Sequence, residues 1–319
     1  MKLVTFAHQD QQRRVGWLDA NQRVVDLSEA LGGRSLIELL PDLGTVEQLA
    51  ETHSTSGALP TYDLTQVQLL APVSRPNSLR DCMAFEGHLI NCTRTVVRWK
   101  LPPAVTLDRW CQRAFGRGFL RPPRVWYQRP VYYKGNPDAV VGHDAAVRWP
   151  AYTDRLDFEL EFGIFIGKRG RDISEEAAAD HIAGYAIFND FSARDVQLSE
   201  MQGRLGPAKG KDFDTSNAIG PWLVTRDEIP DARNLTMTAR VNGDVWCEAN
   251  SGDMHYSFEE IIAYISRDET LHPGDFIGAG TAPGGCGLEL DRWLQPGDVV
   301  ELEVERLGTL RNRVVRNHS

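Results

Sequence analysis

Over residues 1 to 70 the apolar positions fall in short runs separated by turn formers. Leu3-Val4-Thr5-Phe6, Arg14-Val15-Gly16-Trp17-Leu18 and Val24-Val25-Asp26-Leu27 read as strands, with Asp19-Ala20-Asn21 as the turn between the last two. From Leu36 the period lengthens: Leu36, Leu39 and Leu40, then Val46, Leu49 and Ala50, repeat as one face of a helix. A polar stretch, Ser54 to Pro60, leads to Ala71-Pro72-Val73-Ser74-Arg75-Pro76, whose two prolines punctuate the chain. The domain boundary is placed there, giving a small α+β amino-terminal domain (1–71) and a larger second domain (72–319).

Residues 77 to 92 read as a strand end running into a helix. Thr93 to Pro130 shows no clean period among Trp99, Trp110, Phe115, Phe119, Trp126 and Tyr127, and it is long for a connection inside a domain. Short strands follow around Val140 and Val147, and then Asp157-Phe158-Glu159-Leu160-Glu161-Phe162 alternates acid with apolar residue before Gly163-Ile164-Phe165-Ile166-Gly167. In a strand, Asp157, Glu159 and Glu161 share one face and Phe158, Leu160 and Phe162 the other. Ser174-Glu175-Glu176 starts a helix with acids in its first turn, and Gly184 to Phe188 is a strand that delivers Asn189-Asp190.

Composition narrows the functional classes. The net charge of -9 argues against nucleic acid, which needs a basic face. Five cysteines without a CxxC pair suit a reducing cytoplasm better than a disulfide framework. With no apolar stretch of spanning length, the reading is a cytoplasmic protein without a membrane partner. Against this acidic background, nine Arg and Lys residues between Arg94 and Arg129 accompany a single acid, Asp108. The segment 93–130 is either a solvated insertion or a lid or partner surface that brings cations towards an anionic ligand.

Like-signed carboxylates on one buried face repel unless a cation or protons compensate. A divalent metal does so, and all-oxygen donors favour magnesium, manganese or calcium over zinc. The alternative is an edge strand whose acidic face meets water. His88, seven positions after Asp81, stands on its own as a surface or capped histidine as readily as a catalyst.

The acidic strand, then NDFSARDVQ from Asn189, KDFDTSNAIGPW from Lys211 and GTAPGGCGLEL from Gly280, in this order, resemble the fumarylacetoacetate hydrolase family over about residues 72 to 310. The resemblance implies a mainly β fold with some α, strands rolled into a sandwich-like barrel, paired as a homodimer. It places Glu159, Glu161 and Asp190 on the metal ligands, Lys211 on the active-site lysine, and Arg194 and Gln197 on substrate-contacting positions, Arg194 being counted with the catalytic residues. Asp81 and His88 keep the spacing of a further acidic ligand, or substrate contact, and of a water-activating histidine. Thr281 falls on a threonine that holds substrate carboxylate. Some members carry a glutamate three residues after the histidine to orient it; here that position is Asn91, which leaves Glu86 or an acid from elsewhere as the partner.

The implied activity is metal-dependent hydrolysis of a carbon-carbon bond in a β-diketo acid of fumarylacetoacetate or acylpyruvate type, through a metal-bound enolate and without an organic cofactor. His88 favours hydrolysis, since decarboxylation needs no activated water. Decarboxylation of oxaloacetate-like acids, or isomerisation or hydration of oxo-acids, is the alternative on the same site, and an inactive ligand-binding homologue is the alternative of another class.

Overall fold

A computed structural model describes residues 1–316. The amino-terminal runs become β1 (Lys2–Ala7), β2 (Arg13–Leu18) and β3 (Arg23–Asp26), followed by helix α1 (Leu43–Ser56). Beyond the two prolines come β4 (Leu79–Cys82), α2 (Glu86–Lys100), α3 (Pro102–Phe115) and β5 (Tyr132–Gly135). The central strands are β6 (Leu160–Ile166), β7 (Ile182–Asp190) and β8 (Asn217–Thr225), with α4 (Arg194–Glu200) between the last two. The chain finishes with β9 (Thr236–Val241), β10 (Asp244–Asn250), α5 (Phe258–Ile265), β11 (Phe276–Gly278), α6 (Gly287–Leu290), β12 (Val299–Val304) and β13 (Gly308–Val315).

Two sheets result. Hydrogen-bonded neighbours in the larger run β3-β2-β1-β8-β7-β6-β11-β4-β5, and in the smaller β10-β9-β12-β13. Because β1 pairs with β8, Leu3 opposite Leu223, the amino-terminal strands extend the sheet that carries the site.

Phe162, Ile164 and Ile187 of the large sheet pack with Met237, Ala239, Val300 and Leu302 of the small one in a shared core. On the opposite face of the large sheet, Phe165, Phe188 and Phe276 pack with Leu3, Leu36 and Leu39. Every residue of β6 and β7 is therefore buried, which is why these strands read as near-continuous apolar runs. Each fully buried Phe or Ile contributes about 1.5–3 kcal/mol by leaving water. Gly163 is required by close approach: a Cβ there would lie 2.4 Å from Phe276 Cζ and 2.7 Å from the Ile277 carbonyl oxygen. Among the described residues no helix is long and apolar enough to cross a membrane.

Candidate active site

Sheet pairing brings four carboxylates from three distant stretches to one place. β4 lies parallel to β11 with Asp81 opposite Gly278, and β6 lies antiparallel to β7, whose last residue is Asp190. Oxygens of Asp81, Glu161 and Asp190 lie within 4.8 Å of one another, and all three residues are buried. Glu161 is held by the Gly280 amide and the Thr281 hydroxyl, each at 3.0 Å. Asp190 accepts from the Tyr133 hydroxyl and the Lys211 ammonium, and Lys211 Nζ also donates to Glu159 Oε2 at 2.5 Å.

The three acids of the alternating stretch do not share one environment. Leu156–Asp157 pairs with Ser192–Ala193, the chain leaves the ladder, and β6 begins only at Leu160. Phe158, Leu160 and Phe162 face the core as expected, but Asp157, Glu159 and Glu161 are all buried too, which removes the water-facing edge strand. Asp157 accepts from Arg194 Nε at 2.8 Å and from the amides of Gly287 and Leu288 at 2.7 and 2.9 Å, so it caps the start of α6. Arg194 donates onward to Glu159 Oε1 at 2.6 Å and to Gln197 Oε1 at 2.7 Å. Asp157 thus sits with a guanidinium and a helix amino terminus.

Charge follows this wiring. Burial, then the Asp190 charge, push the Asp81 carboxyl up to about 8. Burial, then Asp81 and Glu159, hold Glu161 well above the usual carboxylate range. Burial lifts Asp190 to about 6 against the pull of Lys211. At Glu159 burial also pushes upward, but Arg194 and Lys211 outweigh it and hold this carboxyl below its ordinary value. Lys211 is raised because Asp190 and Glu159 more than offset its burial.

The residues fit a hard divalent cation. Asp81 Oδ1 and Asp190 Oδ1 are buried and have no hydrogen-bond partner among the described residues. Gly278 keeps the space open, since a Cβ there would lie 2.5 Å from Asp81 Oδ1. Asp81, Glu161 and Asp190 supply oxygen donors only. Glu159, expected as a ligand, accepts from Arg194 and Lys211 through its two oxygens, as Glu161 does from Thr281 and Gly280, and Asp81 stands in the close trio with Glu161 and Asp190.

His88 lies in the first turn of α2, and its Nδ1 hydrogen-bonds Glu289 Oε1 of α6 at 2.8 Å. The other oxygen of Glu289 accepts from Asn91 Nδ2 at 2.9 Å and from the Gly284 amide at 2.7 Å. The partner acid therefore comes from 201 residues away, and Asn91 orients that acid instead of replacing it. Glu86, the nearby candidate, is occupied by the Tyr127 hydroxyl and Arg121. Burial pushes His88 down, but the Glu289 charge overrides it and holds the imidazole well above its ordinary value.

The segment expected as an irregular connection is a helical hairpin. Arg94 Nε donates at 2.8 Å to the buried Asp108, which also accepts from the Phe119 and Leu120 amides at 2.6 and 2.8 Å. Trp126 is buried, with its Nε1 donating to the Met83 carbonyl at 2.6 Å. The outer face leaves Leu107, Trp110 and Phe115 exposed. Sequence reasoning missed Tyr133, Asn91 as a donor, and Glu289. The last stands in the quoted GTAPGGCGLEL stretch, but only the fold brings it to His88.

The family model for the fumarylacetoacetate (FAA) hydrolase C-terminal region matches residues 112–315. A mitochondrial oxaloacetate tautomerase of Xenopus laevis is 39% identical over 189 residues, which cover 59% of this chain and 59% of that protein's length. An oxaloacetate tautomerase of Bacillus subtilis (strain 168) is 32% identical over 94% of this chain and 95% of its own. The crystal structure of maleylpyruvate hydrolase from Sphingobium sp. SYK-6, in complex with manganese(II) ion and pyruvate, superposes with a TM-score of 0.74 at 24% identity, covering all of both chains. With its fold, its buried acids and a match over most of its length, this chain belongs to the fumarylacetoacetate hydrolase family.

Proposed function

We propose that the protein is an oxo-acid tautomerase that interconverts the enol and keto forms of oxaloacetate or a similar 2-oxo dicarboxylic acid. The observation that carries this reading is the His88–Glu289 pair beside the carboxylate trio. Hydrolysis would need His88 neutral, to take a proton from water. The Glu289 charge raises the imidazole well above its ordinary value and so favours the proton-donating form of His88. Ketonisation uses that donor: the C2 hydroxyl gives its proton to solvent water, C3 takes one from His88, and water recharges the imidazole. The two relatives named oxaloacetate tautomerases support the same choice.

Each residue has a part in this account. His88 has Nδ1 committed to Glu289, which leaves Nε2 to donate towards C3. Lys211, anchored by Glu159 and Asp190, offers positive charge to the C2 oxygen as negative charge develops on it. Asp81, Glu161 and Asp190 would hold magnesium or manganese, a Lewis acid that polarises the 2-oxo group when bound. Arg194 and Gln197 keep Glu159 and Asp157 in place, and Thr281 keeps Glu161 in place. Carbon-carbon hydrolysis is the second reading, favoured by the manganese-bound maleylpyruvate hydrolase on the same fold.

The test follows enol oxaloacetate and an acylpyruvate in parallel with the manganese-loaded protein, reading enol absorbance, pyruvate and cleavage products. Fast loss of enol without matching pyruvate or cleavage supports the tautomerase. Cleavage of the acylpyruvate outpacing ketonisation would establish the hydrolase, and pyruvate formation in step with enol loss a decarboxylase.

A further inference from the structure

A second group of metal-ligating side chains lies beside the first. His88, Cys92, Cys286 and Glu289 each offer one atom, and the four atoms lie within 4.8 Å of one another. Two short pieces of chain supply them. His88 and Cys92, four residues apart, share one face of α2, while Cys286 is the N-cap of α6 and Glu289 lies in its first turn. Cys92 Sγ lies 3.7 Å from both His88 Nδ1 and Nε2, His88 Nδ1 lies 2.8 Å from Glu289 Oε1, and Cys286 Sγ lies 3.6 Å from that same oxygen.

A tetrahedral zinc ion with bonds of about 2.0–2.3 Å keeps neighbouring ligand atoms roughly 3.3–3.8 Å apart. Of these three contacts only the one at 2.8 Å is shorter, and it is a hydrogen bond whose proton a metal would replace. Two sulfurs, one imidazole nitrogen and one carboxylate oxygen make a softer donor set than the all-oxygen trio. We propose that His88, Cys92, Cys286 and Glu289 form a second metal site, selective for a borderline-soft divalent cation such as zinc.

The surroundings suit the charge. Two thiolates and a carboxylate around one divalent ion leave a net negative site, and the buried Arg194 is near enough to feel both sulfurs. Both thiols are free, Cys92 half-buried and Cys286 buried, and His88 keeps an edge open to solvent as an entry path. Occupation would take Glu289 away from His88 and hold the imidazole neutral on the metal, leaving its remaining N–H a far weaker acid than imidazolium. The site is thus inhibitory, an effect that rests on the function proposed above; binding itself does not.

Cobalt(II) is the probe for binding, added to reduced, metal-free, full-length protein without substrate. Wild type should develop thiolate-to-cobalt charge-transfer absorption and tetrahedral visible bands, both displaced by zinc. Cys92→Ser and Cys286→Ser should each lose the charge-transfer intensity by about half or more, while Asp190→Asn, with its trio broken, should keep it. Manganese binding to the serine variants, read by electron paramagnetic resonance, reports that their fold and oxygen site are intact. Absent charge transfer in wild type, or undiminished intensity in both serine variants, would overturn the site. Zinc should also lower turnover of the manganese-loaded wild type tenfold or more and leave Cys92→Ser within about twofold. Equal inhibition of both would place zinc on the carboxylate trio and overturn the inhibitory role.

Discussion

Replacing Glu289 by Gln keeps a hydrogen-bonding side chain in place and removes the charge that holds His88 protonated. Ketonisation in this variant should fall about 100-fold, the lower range for losing an acid-base group. The pH dependence gives the sign. In wild type His88 titrates well above its ordinary value of 6.5, so the acid form and the rate persist as pH rises until that elevated value is passed. Without the Glu289 charge, the burial that remains pushes His88 down, and the rate should be lost at a lower pH. An unmoved pH-rate profile would mean that Glu289 does not govern this proton.

Arg194 is the residue whose loss should cost most stability. It bridges Asp157 and Glu159 inside the protein, so Arg194→Leu leaves two buried carboxylates without their cation, at a cost of about 3–5 kcal/mol. Glu159 is lowered in the folded state from 4.5, so its contribution is present above 4.5 and fades as pH falls. The difference between wild type and Arg194→Leu in chemical denaturation should therefore be largest near neutrality and shrink in acid. A pH-independent difference would assign the loss to packing.

At the scale of elements, the strands were the most legible part of the chain. β1, β2 and β3 fall where short apolar runs and turn residues place them, and β6 and β7 announce themselves as apolar runs because both faces are covered. Local pattern could not show that the acidic stretch leaves its ladder at Phe158 and Glu159, since the cause is the distant pair Arg194 and α6 claiming Asp157. The hairpin of α2 and α3 was equally hidden: its own aromatics Trp99, Trp110 and Phe115 are exposed, and the buried aromatic of the segment, Trp126, lies beyond α3. The link from His88 to Glu289 depends on how α2 meets α6, and no spacing in the sequence encodes it. Where β4 meets β11 the packing makes a direct prediction. Gly278→Ala would drive a methyl into Asp81, so manganese affinity by calorimetry should weaken at least tenfold while the circular dichroism spectrum is kept. Unchanged affinity would remove Asp81 from the metal site.

For the whole molecule, the large sheet gathers acids whose mutual repulsion the fold must oppose. Asp81 and Asp190 are raised from 3.8 to about 8 and about 6. A raised carboxyl favours the folded state below its unfolded value and loses that contribution as pH climbs through the folded one. Metal-free protein should therefore lose thermal stability between about pH 4 and pH 8. Manganese or magnesium binds only the folded trio, so the gain in Tm on adding it should be greater at pH 8 than at pH 5. A gain that is equal at both ends, or absent, would mean that the trio holds no cation.

The central claim is that His88 delivers a proton to C3 of a 2-oxo dicarboxylic acid, and hydrogen-deuterium exchange at that carbon measures it most directly. In deuterium oxide with manganese, proton magnetic resonance should show the C3 hydrogens of oxaloacetate replaced far faster with wild type than in buffer. His88→Ala, with manganese affinity unchanged, should exchange about 100-fold more slowly than wild type. Exchange at the buffer rate with wild type, or undiminished exchange with His88→Ala, would contradict the account.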